Sequence, residues 1–308
     1  MALVRINHIR SQHNGSYLGD ALATDGSIET VPLAYEVHEP KNKPAVEKSP
    51  VVMIHGLFGS RANSRTVAKS LAQELDRSIY CLDLRNFGQS PHIDRLDYPS
   101  LAADVERFIT EHLKQKPILV GHSMGAKTVM AVALRNPQLP KMIVAVDNAP
   151  VDLGGLAGAF STFSKYVNQL RLALEKYKYK DIKDVDAKLA EIEKSQVVRL
   201  FLLMNLKRGR KDEPVTSKIP LDIVGNAINT GKIAAWPYDL NVSRWCGPAL
   251  FIRGTESQYI PDDVIPDIGK YFPDFEVRDI KSGHWVISEK PQEFKKVLID
   301  WIERKEDE

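Results

Sequence analysis

Ser123 stands in Gly121-His122-Ser123-Met124-Gly125, directly after the apolar run Pro117–Val120. A hydroxyl between two glycines at the end of a strand is poorly placed for packing and well placed for chemistry. G-x-S-x-G with a strand before it and a helix after it is the setting of a nucleophile elbow. That turn is too tight for large neighbours and lifts the serine hydroxyl off the carboxyl edge of a sheet. The helix that follows turns its positive N-terminal end toward the same spot. Serine is a weak nucleophile and needs a base. Ser282-Gly283-His284-Trp285 offers one, on a loop after the last strand and before the C-terminal helix. His8, His13, His38, His92 and His112 lack that placement. The base in turn needs a carboxylate that holds its tautomer and stabilises the imidazolium. The usual acid would follow the strand Ala249–Arg253, but Ser257 occupies that offset and Glu256 falls one residue short. Asp147, at the end of Met142–Val146, lies on the same edge and keeps the order Ser, Asp, His. Asp147 is the first choice, with Glu256, Asp262 and Asp263 as alternatives.

The oxyanion formed by attack on a carbonyl calls for backbone N–H donors. One is expected from Met124, the residue after the nucleophile. The other is expected from Leu57 in His55-Gly56-Leu57-Phe58-Gly59. His55 reads as a brace for that loop rather than an acid–base group. Asp83, Arg85 and Asn86, on another loop at the same edge, read as bracing hydrogen-bond partners.

These residues need a scaffold with all strand ends on one edge. Continuous apolar runs alternate with helical periodicity: strands at Ile28–His38, Val51–Gly56, Ser78–Leu84, Pro117–Val120, Met142–Val146, Ala249–Arg253 and Glu276–Ile280. Helices are predicted over about Ser64–Asp76, Leu101–Leu113, Ser123–Asn136, Asp262–Tyr271 and Pro291–Arg304. Strands that are apolar on both faces belong in a parallel sheet covered by helices, which makes the class α/β. Between Val151 and Asn241 the alternation stops, and helical stretches Phe160–Tyr177 and Val185–Leu206 take over with no evident strand. Residues 1–150 and 242–308 therefore read as the core, and 151–241 as a helical cap inserted into it.

The 308 residues are 43% hydrophobic and 27% charged, an ordinary globular composition with ample length for a core. A net charge of +2 gives no electrostatic reason for a nucleic-acid partner. The apolar stretches are far shorter than a bilayer-spanning helix needs. Cys81 and Cys246 read as reduced structural thiols, and no metal-ligand spacing is present. Residues 1–19 contain Arg5 and Arg10 and no acid, which is faintly like the end of a mitochondrial transit peptide.

Taken together, HGLFGS, DLRNFGQSP, GHSMGAK, VDNAPVD and SGHWV followed by EKP resemble the α/β-hydrolase superfamily. The likeness covers nearly the whole chain. It is similar to a branch that joins bacterial short-chain esterases, mitochondrial abhydrolases and yeast ethanol acetyltransferases. The Ala126-Lys127 pair and the Asp-Asn-Ala-Pro wording look most like the yeast members. The resemblance implies an α/β-hydrolase fold with a helical cap, a mitochondrial location, and the acid at Asp147 rather than Glu256.

Two reactions share this machinery. In one, Ser123 takes acetyl from acetyl-CoA and hands it to an alcohol such as ethanol. In the other, water accepts the acyl group, giving an esterase or thioesterase. The partners are small molecules in both, and acetyl-CoA enters as a substrate, with no cofactor required. An apolar alcohol site would favour transfer; Trp236 and Tyr238 are the candidate lining residues. The basic run Lys207-Arg208-Gly209-Arg210-Lys211 reads either as a solvated loop or as a contact for CoA phosphates. An intact Ser123, Asp147 and His284 set argues against a non-enzymatic binding module.

Overall fold

Short apolar runs closed by glycine or proline form the strands, and amphipathic runs between them form the helices. The fold was obtained as a computed structural model that describes residues 21–24, 26–42, 47–154 and 157–308. The basic arm over residues 1–19 lies outside the described residues. In chain order the core contains β1 (Tyr35–His38), β2 (Val51–Ile54), α1 (Arg65–Glu74), β3 (Ile79–Leu82), α2 (Tyr98–His112), β4 (Ile118–His122), α3 (Met124–Arg135) and β5 (Met142–Val146). An inserted segment follows with α4 (Ala157–Arg171), α5 (Ile182–Leu189), α6 (Gln196–Leu203), β6 (Leu206–Lys207), β7 (Thr216–Ser217) and α7 (Leu221–Asn229). The core resumes with β8 (Ala249–Gly254), α8 (Ile265–Tyr271), β9 (Phe275–Ile280), α9 (Val286–Glu289) and α10 (Pro291–Asp307).

The main sheet has the order β1-β3-β2-β4-β5-β8-β9. Only β1 runs antiparallel to its neighbour; every other pairing is parallel. Every residue of β2 and β5 is buried, as strands covered on both faces must be. One face packs against α2 and α3 through Leu101, Val105, Val129 and Met130. The other packs against α1 and α10 through Leu71, Leu298 and Trp301. The inserted segment shares the first of these cores, since Tyr166, Val167 and Leu202 join the same cluster. Among the described residues, no helix is long and apolar enough to cross a membrane.

Four sequence expectations are corrected. The strand expected over Ile28–His38 shrinks to Tyr35–His38. Side chains take the backbone donors upstream: Val31 N–H donates to Asp104 Oδ1 at 2.8 Å and Ala34 N–H to Ser90 Oγ at 2.9 Å. The long helix expected over Val185–Leu206 is two helices, α5 and α6. Glu193 interrupts it by accepting from the Ser195 amide at 2.7 Å. The helix expected over Phe160–Tyr177 is α-helical only to Arg171 and continues as a wider π turn over Leu172–Lys176. Finally, the insertion is not all helical. Leu206 pairs with Ser217 and Lys207 with Thr216, and the basic run Lys207–Lys211 leads into the exposed turn of that hairpin. Two-residue strands leave no periodicity to read.

Candidate active site

Parallel pairing delivers the key residues to one edge. His122 is the last paired residue of β4, so Ser123 begins beyond the ladder, its amide donating to Val146 O at 2.9 Å. Asp147 likewise follows the last residue of β5 and donates its amide to Ile252 O at 2.8 Å. Ser123 has φ 55° and ψ −114°, a conformation rare for a residue with a side chain. The flanking glycines are obligatory. A Cβ on Gly121 would lie 2.0 Å from Gly125 O, and one on Gly125 would lie 2.4 Å from Ile54 O. Asp147, with φ 52°, is held in a similarly disfavoured backbone state.

His284 reaches across from the loop beyond edge strand β9. Its Nε2 lies 2.9 Å from Ser123 Oγ and its Nδ1 lies 2.7 Å from Asp147 Oδ2. With Nδ1–H donating to the carboxylate, Nε2 is free to accept from the serine hydroxyl, the protonation pattern a general base needs. Asp147 is fully buried and satisfied by two more donors: the Gly254 amide at 3.0 Å and the Ser257 hydroxyl at 2.5 Å. Glu256 is not there. It is exposed, and its amide donates to Ser282 O at 3.0 Å. Asp262 pairs with Arg253, and Asp263 is exposed. The Ser257 that stands at the usual acid offset has become a donor to the acid.

Sequence reasoning passed over His122. Its Nε2–H donates to His284 O at 2.7 Å, so the elbow grips the loop that carries the base. Burial, then the neighbouring His284, pushes His122 down to about 4, which keeps it neutral near pH 7. Tyr259 stacks on the His284 ring with centroids 4.0 Å apart. No spacing in the sequence announces either contact, because both depend on loops that meet only in three dimensions.

Leu57 and Met124 flank the hydroxyl. Neither amide donates to an internal acceptor among the described residues. His55 braces the Leu57 loop: Nδ1–H donates to Gly56 O at 2.8 Å, and Nε2 accepts from the Leu84 amide at 3.0 Å. Burial lowers its proton affinity, in keeping with a neutral ring. Asp83 binds the Arg61 and Gln89 amides at 2.7 and 2.9 Å, Arg85 pairs with Asp104, and Asn86 Oδ1 accepts from the Ile93 amide at 2.8 Å.

Two spaces lie near the elbow, one lined by Ser123 and the other by its neighbour His122. A small one of about 10 Å³ is bounded by Leu57, Tyr98, Met124, Phe163 and Ile233 around the serine. A large apolar cleft of about 440 Å³ lies between Gly56, His122 and Trp285 on the core and Val198 and Phe201 on α6, with Met204 just past its end. Gly56 lines the cleft and lies close to the serine: a Cβ there would be 3.0 Å from Ser123 Cβ. Trp236 and Tyr238 line neither space. They are buried, 4.8 Å apart, and Trp236 sits behind Tyr98 at 6.3 Å. Their expected place as lining belongs instead to Ile233, a few residues earlier. Cys81 is buried, its thiol pushed up to about 12 by burial, and Cys246 is exposed; neither reaches the site.

The alpha/beta hydrolase fold family matches residues 49–291. The chain belongs to the α/β-hydrolase family. Within that family it is 42% identical over 273 residues to a probable alcohol acetyltransferase of Saccharomyces cerevisiae, covering 84% of this chain and 79% of the relative. It is 31% identical to the sn-1-specific diacylglycerol lipase ABHD11 of Danio rerio, covering 89% and 83%. Among solved structures of this fold, a marine microorganism esterase superposes with a TM-score of 0.78 at 29% identity, covering 88% of this chain and 99% of that one.

Proposed function

We propose that the chain is a serine-dependent acyltransferase that moves an acetyl group from acetyl-CoA to an alcohol, with hydrolysis as a side reaction. The observation that carries the serine-dependent acyl chemistry is the continuous relay from Ser123 Oγ through His284 to Asp147, at 2.9 and 2.7 Å. Ser123 attacks the thioester carbonyl while His284 Nε2 takes its proton. The oxyanion is held by the Leu57 and Met124 amides. As the C–S bond breaks, His284 returns the proton to the departing thiol. The alcohol then repeats the sequence on the acyl-enzyme, losing its proton to His284 and leaving as the acetate ester. Asp147 stabilises the imidazolium in both halves.

The similarity to a probable alcohol acetyltransferase supports transfer, and the large apolar cleft supports an acceptor with a hydrocarbon part. The likeness to a lipase and to an esterase supports a second reading, in which water is the physiological acceptor. A mitochondrial location belongs to the same proposal, supported by the basic, acid-free residues 1–19 and the family resemblance.

The test is to give purified protein acetyl-CoA with rising ethanol and measure free CoA, acetate and ethyl acetate. Transfer predicts that ester replaces acetate as ethanol rises. Constant acetate with no ester identifies a hydrolase. Ser123→Ala should lose both products by on the order of 10⁶-fold and lose labelling by a small phosphonate.

A further inference from the structure

Lys127 lies one turn beyond Ser123 on α3, fully buried, and takes no part in the proposed chemistry. Its ammonium donates to three backbone carbonyls: Val151 O and Ala234 O at 2.8 Å, and Ala235 O at 3.2 Å. Val151 is where the chain leaves the β5 edge for the inserted segment. Ala234 and Ala235 are where it comes back. One side chain on the nucleophile's own helix therefore ties both crossings. Tyr98 adds a second tie, its hydroxyl donating to Ile233 O at 2.6 Å, and Lys127 sits 5.3 Å from the Tyr98 ring. The Leu153 amide, donating to Ala234 O at 3.0 Å, joins the two crossings directly.

The tied segment carries Ile233, which walls the small space at Ser123. That space, about 10 Å³, holds roughly one water-sized group, the size of a methyl. Leu57 and Met124 line the same space. An acyl group on Ser123 with its oxygen between their amides starts its chain there. The first partner must leave and the second arrive while the acyl group stays. The wide cleft lined by Gly56 and His122 offers room for that exchange, and Val197, Leu200 and Met204 on its rim are all exposed.

We propose that the small chamber is the acyl site, sized for a two-carbon acyl group, and that Lys127 and Tyr98 are positioning residues that keep it that size. The proposal rests on Ser123 forming an acyl-enzyme. A wall tied to the core by side-chain hydrogen bonds yields less to a longer chain than one held by packing alone. An extra methylene in an apolar pocket changes discrimination by roughly 10- to 200-fold.

The experiment measures kcat/KM for p-nitrophenyl acetate, butyrate and hexanoate with wild type, Ile233→Ala, Tyr98→Phe and Lys127→Met. Wild type should prefer acetate over hexanoate by about 100-fold. Ile233→Ala should cut that ratio by about tenfold or more. Lys127→Met should shift it the same way, and Tyr98→Phe by less. The ratio is taken within one preparation, so loss of folded protein does not move it, whereas a displaced wall does. A wild type that handles hexanoate as well as acetate, or an unchanged ratio in Ile233→Ala, overturns the acyl site. Unchanged ratios in Lys127→Met and Tyr98→Phe overturn the positioning role, and Tyr98→Phe decides if Lys127→Met does not fold. Phosphonate labelling of Ser123 in wild type separates this outcome from failure of the acyl-enzyme reading, which would leave Ser123 unlabelled.

Discussion

Two fully buried carboxylates, Asp104 and Asp147, sit about the same sheet and have opposite fates. Asp104 accepts from Arg85 Nε and Nη2 at 2.6 and 2.7 Å and from the Val31 amide at 2.8 Å. Its partner is a guanidinium that never loses its proton, and both side chains are sealed from solvent. Asp147 also has three donors, but one is an imidazole, and His284 keeps some exposure and a second nitrogen 2.9 Å from Ser123. Both aspartates are saturated with hydrogen bonds, as burial requires. What separates them is whether the partner is a permanent cation or an imidazole, and whether that partner's far side faces the Ser123 hydroxyl.

The sharpest way to break the comparison is to neutralise each carboxylate. Asp147→Asn should lower kcat by on the order of 10⁴, as loss of the correct histidine tautomer does in serine proteases, with a smaller change in thermal midpoint. Glu256→Gln, one candidate from the sequence, should leave kcat within about twofold, because its carboxylate is exposed and outside the relay. A crippled Glu256→Gln beside an active Asp147→Asn would move the acid to the β8 loop. Asp104→Ala should do the reverse. It strands the buried Arg85 charge and should cost about 3–5 kcal/mol in denaturant unfolding, while kcat per folded molecule, by active-site titration, stays near wild type.

The smallest expected effect concerns a third buried charge, one whose hydrogen bonds go to carbonyls. Burial pulls Lys127 down to about 7, with Asp152 acting weakly in the other direction. An unfolded lysine titrates near 10.4. Between these values the unfolded chain binds more protons than the folded one, so stability contributed through Lys127 rises with pH across that window. Denaturant midpoints at pH 7 and pH 9.5 should show wild type gaining relative to Lys127→Met. No difference in slope would mean that the three carbonyls keep the ammonium charged throughout.

The fold and the centre of the site were legible in the sequence for local reasons. Continuous apolar runs force a covered parallel sheet, and the glycines around Ser123 encode a turn that no larger residue fits. Asp147 and His284 were legible because a parallel sheet brings the ends of its strands to one edge, so position after a strand is position in space. Choosing Asp147 over Glu256 was beyond the spacing alone. That choice follows from where β5 and β8 end beside each other, and from Ser257 folding back to donate to the carboxylate.

The inserted segment was legible only as helical and different. Its break at Ser195 and its two-residue hairpin are set by hydrogen bonds within the insertion, and the placement of Trp236 by packing against Tyr98, none of which periodicity shows. By itself the sequence determined the layered sheet and the serine elbow, because those follow from neighbours along the chain. Only the tertiary structure decided which carboxylate holds His284, that His122 grips the His284 loop, and that Lys127 ties the two crossings. Each of these joins residues dozens of positions or more apart in the chain, within hydrogen-bond reach only once the strands are aligned and the insertion is packed against them.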